Sequence, residues 1–381
     1  MAEASKDTPR VFLHDAKQLG HIRATAASDA QSRRIVEAAV LEADSVIKEG
    51  PFSVMQKAVT PPSGDKHDYM SQAPYFWPDP AKSNGLPYIR RDGEHNPEIK
   101  KISDHEQFGR MGKDACSLAL AYYLTGKTVY ADRAVLLLRT WFLNPATRMN
   151  PNLEFGQGIP GINTGRGIGI IESRPLAAVT DAAGLLAGAK TWTPADQQGL
   201  RSWLTEYLHW MLTSEKGNAE DAAKNNHGNW FDVQVTDIAL FLDDRKLAKE
   251  MLKRVKTRRI ALQIEPDGRQ PLELARTNAW GYSNFSLDAL TQLAVLGGEV
   301  GVDLWNYHTA DGRSIHAAIE FLLPYASGAK KWDHRQIGGF HASAMEHTLQ
   351  RAARAYRDPS FKQLAKQIAD NNDDLETLLL D

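Results

Sequence analysis

Apolar residues recur at spacings of three and four along most of this 381-residue chain. That period commits it to amphipathic helices. Residues 29–49 set Ile35, Ala38, Ala39, Ala43 and Val46 on one stripe. Comparable patterns predict helices at about 103–125, 128–142, 174–190, 194–213, 228–242, 245–262, 283–297, 313–323, 343–356 and 359–378. Ser103 with Glu106 has capping-box spacing, and Thr193-Pro194 offers an N-cap followed by proline at the first helical position. Thr125-Gly126 and Leu296-Gly297-Gly298 read as helix ends. The joints at 124–127, 189–193 and 242–244 are short, and short connections make antiparallel neighbours. The expected fold is all-α, an α/α barrel (toroid) of about six or seven helical hairpins. No sharp repeat of fixed period is present, which disfavours a repeat solenoid.

Three stretches interrupt the helical pattern: 59–100, 150–173 and 263–282. Long structured loops inside a compact domain are often functional. The first is rich in aromatics and prolines, so it reads as an ordered loop or lid rather than a flexible linker. No Ser-rich or charge-rich linker divides the chain, and residues 1–381 are expected to form a single domain.

Composition narrows the function classes. A net charge of −2 lacks the basic excess of nucleic-acid binders. No apolar run reaches about 18 residues, so no membrane span is expected. The lone cysteine, Cys116, excludes an internal disulfide and a four-cysteine zinc site. His67 with Asp68, and His334 with His341, lack recognisable ligand spacing, so no metal is expected. No nucleotide-loop or GxSxG pattern occurs; the glycines at 156–169 fit either backbone approach to a ligand or plain tight turns.

Two short segments concentrate polar chemistry. Lys224-Asn225-Asn226-His227-Gly228-Asn229-Trp230-Phe231-Asp232 crowds polar and aromatic groups at the mouth of an otherwise apolar helix. Helix mouths present free N–H groups and favour anions. The bland alternative is that Asn226 or Asn229 merely caps the helix. Glu273 to Asn284 places Arg276 and Tyr282 six residues apart before another apolar helix. Alone, that reads as a surface arginine and a half-buried tyrosine.

Together these segments resemble the alginate-lyase superfamily of α/α-toroid polysaccharide lyases. Asn226-His227, followed by Gly228-Asn229-Trp230, is similar to its Asn-His motif, and Arg276 and Tyr282 to its arginine and catalytic tyrosine. Asp68-Tyr69-Met70-Ser71 through Trp77-Pro78-Asp79-Pro80, with Tyr88 to Gly93, resembles a branch containing lyases of glucuronan and mannuronate-rich alginate. The resemblance spans about residues 65–290. It implies β-elimination on a 1,4-linked uronate polymer, with Asn226, His227 and Arg276 neutralising the C6 carboxylate and Tyr282 as base and acid. It also implies an acidic polysaccharide as partner and no cofactor. Tyr69, Tyr75, Trp77, Tyr88 and Trp230 are candidates to line the sugar groove, and Arg90, Arg91 and Arg166 to bind neighbouring carboxylates. The start of the chain lacks an apolar signal core; a periplasmic or secreted enzyme with its signal removed is expected, a cytoplasmic one being the alternative. Two rival readings stand beside it. One is an α/α-barrel glycoside hydrolase using paired carboxylates, with Glu154, Asp181, Glu265, Asp267 and Glu273 as candidates. The other is a carbohydrate-binding protein without activity.

Overall fold

Polar residues just ahead of the apolar stripe mark where several of the helices begin. Asp15 accepts the N–H groups of Lys17 and Gln18, Asp29 that of Ser32, and Thr193 with Asp196 forms a reciprocal capping box. The computed structural model describes residues 8–371 and 374–380. In chain order the helices are α1 (Ala16–Thr25), α2 (Ala30–Val46), α3 (Asp104–Thr125), α4 (Thr128–Leu138), α5 (Leu176–Leu185), α6 (Pro194–Thr213), α7 (Glu215–Asp221) and α8 (Asn226–Phe241). There follow α9 (Arg245–Val255), α10 (Ala261–Gln263), α11 (Pro271–Leu274), α12 (Ala279–Val300), α13 (Ile315–Ala326), α14 (Glu346–Tyr356), α15 (Pro359–Ile368) and α16 (Leu375–Leu380). Their contacts fall into two compact units: residues 1–219 with 241–243, and 220–240 with 244–381. Among the described residues no helix is long and apolar enough to cross a membrane.

In the first unit α3 packs against α2, α4 and α5, with Met111, Ala115, Leu118 and Ala119 fully buried. α4 runs on into a π turn at Arg139–Leu143. From it Arg139 forks onto Asp196 at 2.7 and 2.6 Å, and this guanidinium holds the Asp196 carboxyl down at about 2. The 59–100 stretch is ordered by short strands. β1 (Met70–Gln72) runs parallel to β4 (Phe155–Gly158), and β2 (Phe76–Trp77) pairs antiparallel with β3 (Ile89–Arg90). A Cβ on Gly169 would lie 2.6 Å from the Gly156 carbonyl carbon, so there the glycine run serves close backbone packing.

In the second unit α12 packs against α9, α13 and α14 through Leu287, Leu290 and Leu293. α9 continues through a π turn, Lys256–Ile260, that carries Arg258 and Arg259.

Four sequence expectations need correction. Ser103 adopts helical angles and makes no side-chain cap, so the Ser103–Glu106 box does not form. The Gly297-Gly298 pair does not end α12, which runs to Val300 and closes on left-handed Gly301 (φ 68°). The helix expected over 359–378 is two, because Ala369 turns extended and Asp374 caps α16 by accepting the Thr377 N–H at 3.0 Å. α1 was not anticipated; its apolar stripe is thin, with only Leu19 and Ile22 buried.

Candidate active site

α8 begins at Asn226, and three arginines fix that beginning. Arg259, 1% exposed, forks onto Asp232 (Nε–Oδ2 2.8 Å, Nη2–Oδ1 3.2 Å) within α8. Its other N–H groups donate to the backbone carbonyls of Ala223 (2.8 Å) and Asp221 (3.0 Å). Arg254 bonds both Asp221 and Asp232, and Arg258 bonds Asp221 at 2.9 Å. The chain entering α8 is thus tied to the helix body through buried, charge-assisted bonds. Burial and the two neighbouring arginines pull Arg254 down to about 10. Burial raises the Asp232 carboxyl, with Arg259 opposing that rise.

This geometry demands a glycine after the histidine. A Cβ on Gly228 would lie 2.6 Å from Arg259 Cζ, and closer still to Arg259 Nη1 and the Ala223 oxygen.

Two buried carboxylates then orient the Asn-His pair. Glu273 Oε1 accepts the Asn226 backbone N–H at 2.6 Å, and the Asn226 amide Nδ2 donates to Glu273 Oε1 (3.0 Å) and Oε2 (2.8 Å). Asn226 Oδ1 is buried with no hydrogen-bond partner. Glu220, fully buried, bonds His227 Nδ1 at 2.8 Å. With Nδ1 committed to Glu220, Nε2 is left as the other edge of a half-buried ring. Burial holds the Glu273 carboxyl above the usual carboxylate range, although the Asn226 bonds and the Arg276 and His227 charges act to lower it. Glu273 therefore gathers three of the four predicted residues around one carboxyl.

The fourth joins through Arg276. Its guanidinium carbon lies 3.6 Å from the centre of the Tyr282 ring. Tyr282 sits in the first turn of α12, its N–H donating to Asn278 O at 3.0 Å. Such stacking favours a guanidinium over an ammonium, because the planar ion lies flat on the ring. Asn226, His227, Arg276 and Tyr282 thus lie together in the second unit. Asn226 differs in one respect. Expected as a donor, it spends its N–H groups on Glu273 and leaves its buried carbonyl oxygen without a hydrogen-bond partner.

The predicted groove residues divide. Tyr69 is fully buried: its ring packs on Phe108 and its hydroxyl donates to Glu172 at 2.7 Å. A ring with no exposed face cannot stack on a sugar, so Tyr69 is a core residue. Trp230 is likewise buried, against Phe285. Tyr75 and Trp77 are half-buried, Tyr75 edge-on to His95 and Trp77 beneath Arg91 at 5.2 Å. Tyr88 donates to Glu98 at 2.6 Å, which pushes its phenol up to about 12. Arg90 is exposed and paired with Asp92, while Arg166 donates to Gln157 and covers Phe76.

Sequence reasoning did not foresee Glu220, and it assigned Glu273 only to a rival hydrolase. Glu220 lies seven residues before His227 across a helix break, a spacing with no local signature. Glu273 opens the Arg276–Tyr282 run, and that adjacency was the available signal.

A family model for alginate lyase matches residues 53–332. The crystal structure of an alginate lyase from Bacteroides ovatus is similar at 38% identity, covering 98% of this chain and 99% of that one, with a TM-score of 0.93. A histidine-to-alanine variant of alginate lyase A1-III, complexed with a tetrasaccharide, is similar at 18% identity over 93% of this chain and 91% of that one, with a TM-score of 0.60. Among curated proteins nothing matches. The all-α, α/α-toroid class expected from the helical hairpins is the class of both solved structures, and this chain shares it.

Proposed function

We infer the reaction from one premise: this chain belongs to the alginate lyase family. It is a polysaccharide lyase, and its substrate class is acidic polysaccharide. We propose that it cleaves a 1,4-linked uronate polymer, either mannuronate-type alginate or glucuronan, by β-elimination at the Asn226–His227–Arg276–Tyr282 cluster. The observation that carries this reading is the Arg276 guanidinium stacked 3.6 Å from the Tyr282 ring, beside an Asn-His pair held on buried carboxylates.

A uronate C5 proton is weakly acidic because its departure builds a second negative charge at C6. Donors aimed at that developing charge contribute about 3–4 kcal/mol each. In our reading Arg276 and His227 supply them to the C6 carboxylate. Burial raises the Glu273 carboxyl, which acts against a second negative charge beside the substrate's own. A protonated Glu273 can donate to Asn226 Oδ1, turning the amide so that Nδ2 is released to the substrate. Tyr282 oxygen takes the C5 proton, the electron pair forms C4=C5, and the proton passes to O4 as the glycosidic bond breaks. A neighbouring cation lowers a phenol's pKa from its reference of about 10. In mannuronate and glucuronate H5 and O4 share one ring face, so one tyrosine can serve both steps; guluronate needs a second base, a role His227 Nε2 can fill. Faster turnover of polyguluronate than of either other polymer would overturn that preference.

A paired-carboxylate hydrolase fits less well. Glu220 and Glu273, the buried carboxylates bonded to the Asn-His pair, are committed to His227 and Asn226, and the buried Asp232 is committed to Arg259. The enzyme is proposed to act outside the cytoplasm, where such polymers are met.

The test is incubation with polymannuronate, polyguluronate and glucuronan, following the ultraviolet absorbance of the new C4=C5 bond, with Tyr282→Phe alongside. Absorbance that rises with the native protein and not with the variant supports the assignment. Saturated reducing ends without absorbance refute it in favour of hydrolysis.

A further inference from the structure

α12 carries Tyr282 in its first turn, yet its start has no side-chain cap of its own. Asn278 occupies the N-cap position with φ −115° and ψ 61°, and makes no capping bond to the helix. The first N–H groups of a helix need acceptors from elsewhere. Here they come from a loop about sixty residues further along. Ala279 N–H donates to the Arg335 carbonyl at 3.0 Å, and Trp280 N–H to the side-chain oxygen of Gln336 at 3.0 Å. On the other side of Asn278, Ile337 N–H donates to the Thr277 carbonyl at 2.9 Å, and Asn278 and Gln336 form an antiparallel bridge. Gln336 Nε2 donates to Asn278 Oδ1 at 2.5 Å and to Gly339 O at 2.8 Å. The Trp280 indole N–H closes the loop onto His341 O at 2.7 Å.

We propose that Gln336 is a positioning residue for the reaction, capping α12 in trans and so fixing Tyr282 against Arg276. The inference rests on the proposed role of Tyr282 and deepens it. The amide uses both ends: its oxygen replaces a missing N-cap by accepting the Trp280 N–H, and its nitrogen holds the Asn278 side chain by donating to its oxygen. Asn278 in turn abuts Gly281, where a Cβ would lie 2.7 Å from Asn278 Nδ2. The residue just before Tyr282 is thereby pinned from the same side. Arg276 and Tyr282 flank the bridged strand 277–279, so a shift of that strand changes the separation of guanidinium and ring.

The experiment compares the native enzyme with Gln336→Ala and Gln336→Glu. For Gln336→Ala, kcat is expected to fall about 10- to 100-fold, the range for a misplacement on the order of 1 Å, with KM within about twofold. As Tyr282 loosens from Arg276, the rising limb of kcat against pH moves to higher pH. A residue that only supported folding would lower the whole profile without moving its limb. Gln336→Glu retains an acceptor for the Trp280 N–H at a helix N-terminus that favours negative charge. It provides a folded variant even where alanine is not tolerated. It loses the donor to Asn278 and stays ionised across the pH range of the limb, so the limb shift persists in weaker form.

The activity-independent readout is a titration of the Tyr282 phenol in 13C-tyrosine-labelled protein, assigned with Tyr282→Phe. An upward-shifted midpoint in Gln336→Ala supports the positioning role. An unchanged midpoint and limb overturn it, even where overall activity drops. A native protein that yields no unsaturated product refutes the lyase chemistry, while the phenol titration still decides the positioning.

Discussion

Replacing Gly228 with alanine adds one methyl group at the start of α8. The new carbon would sit 2.6 Å from Arg259 Cζ, against an ordinary contact of 3.4–4 Å. Arg259 cannot swing aside, because its nitrogens are held by Asp232 and by the carbonyls of Ala223 and Asp221. Relief therefore requires the backbone at Asn226–Gly228 to move by about 1 Å, an overpacking that costs about 1–3 kcal/mol. The same displacement moves the Asn226 amide off Glu273 and His227 off Glu220. Catalytic groups shifted by about 1 Å lose about 100-fold in rate. The assay is kcat and KM on the polymer the native enzyme prefers, with thermal melting alongside. Gly109→Ala is the control: nothing lies within 4 Å of a Cβ there, and a helix-interior glycine-to-alanine change stabilises by about 0.5–1 kcal/mol. A Gly228→Ala enzyme that turns over within about twofold of the native rate would refute the rigid tie between the arginine clamp and the Asn-His pair.

Three further perturbations test the surroundings. Burial raises Glu273, so the folded protein holds that proton more tightly than the unfolded chain. The stability this brings is fully present below the reference value of 4.5 and is lost as pH rises through the folded pKa. Glu273→Gln removes the loss, and its melting temperature should gain on the native protein with rising pH; a pH-independent difference contradicts this. Asp232→Asn leaves Arg254 and Arg259 facing a neutral amide and should cost about 3 kcal/mol in chemical denaturation. A loss under about 0.5 kcal/mol, the level of an ordinary surface change, refutes the clamp. Tyr69→Phe should lower stability by about 1–3 kcal/mol by leaving Glu172 short of a buried donor, while KM stays unchanged. A raised KM would return Tyr69 to the sugar groove.

Helix periodicity carried most of the fold because the core stripes are long and regular. α6 matched its expected span of 194–213, since proline at its first position and a capping box mark its start. Boundaries failed where tertiary packing overrode local chemistry. Gly297 looked like a stop, but a Cβ there would crowd the Val302 carbonyl, and the glycine lets the chain fold back after a left-handed Gly301. The four clustered residues stood out only through their resemblance to a family's motifs; taken alone, their segments read as a helix cap and as a surface arginine with a half-buried tyrosine. The groups that hold them did not stand out. Glu220, Arg259 and Gln336 reach the site across a helix break, from a π turn and from a loop about sixty residues away, and no local pattern encodes such reach. Tyr69 misled for the reverse reason: an aromatic in a polar loop looks exposed until its hydroxyl finds a buried carboxylate.

The family match ends at residue 332, three residues before the segment that bonds to 277–280. A protein trimmed to that boundary keeps Asn226, His227, Arg276 and Tyr282, and loses the carbonyl and amide acceptors that close the first turn of α12. Its bared edge at Thr277–Trp280 would leave the Thr277 carbonyl and the Ala279 and Trp280 N–H groups without these partners. The contacts that close the first turn of α12 therefore lie beyond the segment that sequence kinship delimits, and a graft of the site onto another scaffold has to carry residues 335–337 with it.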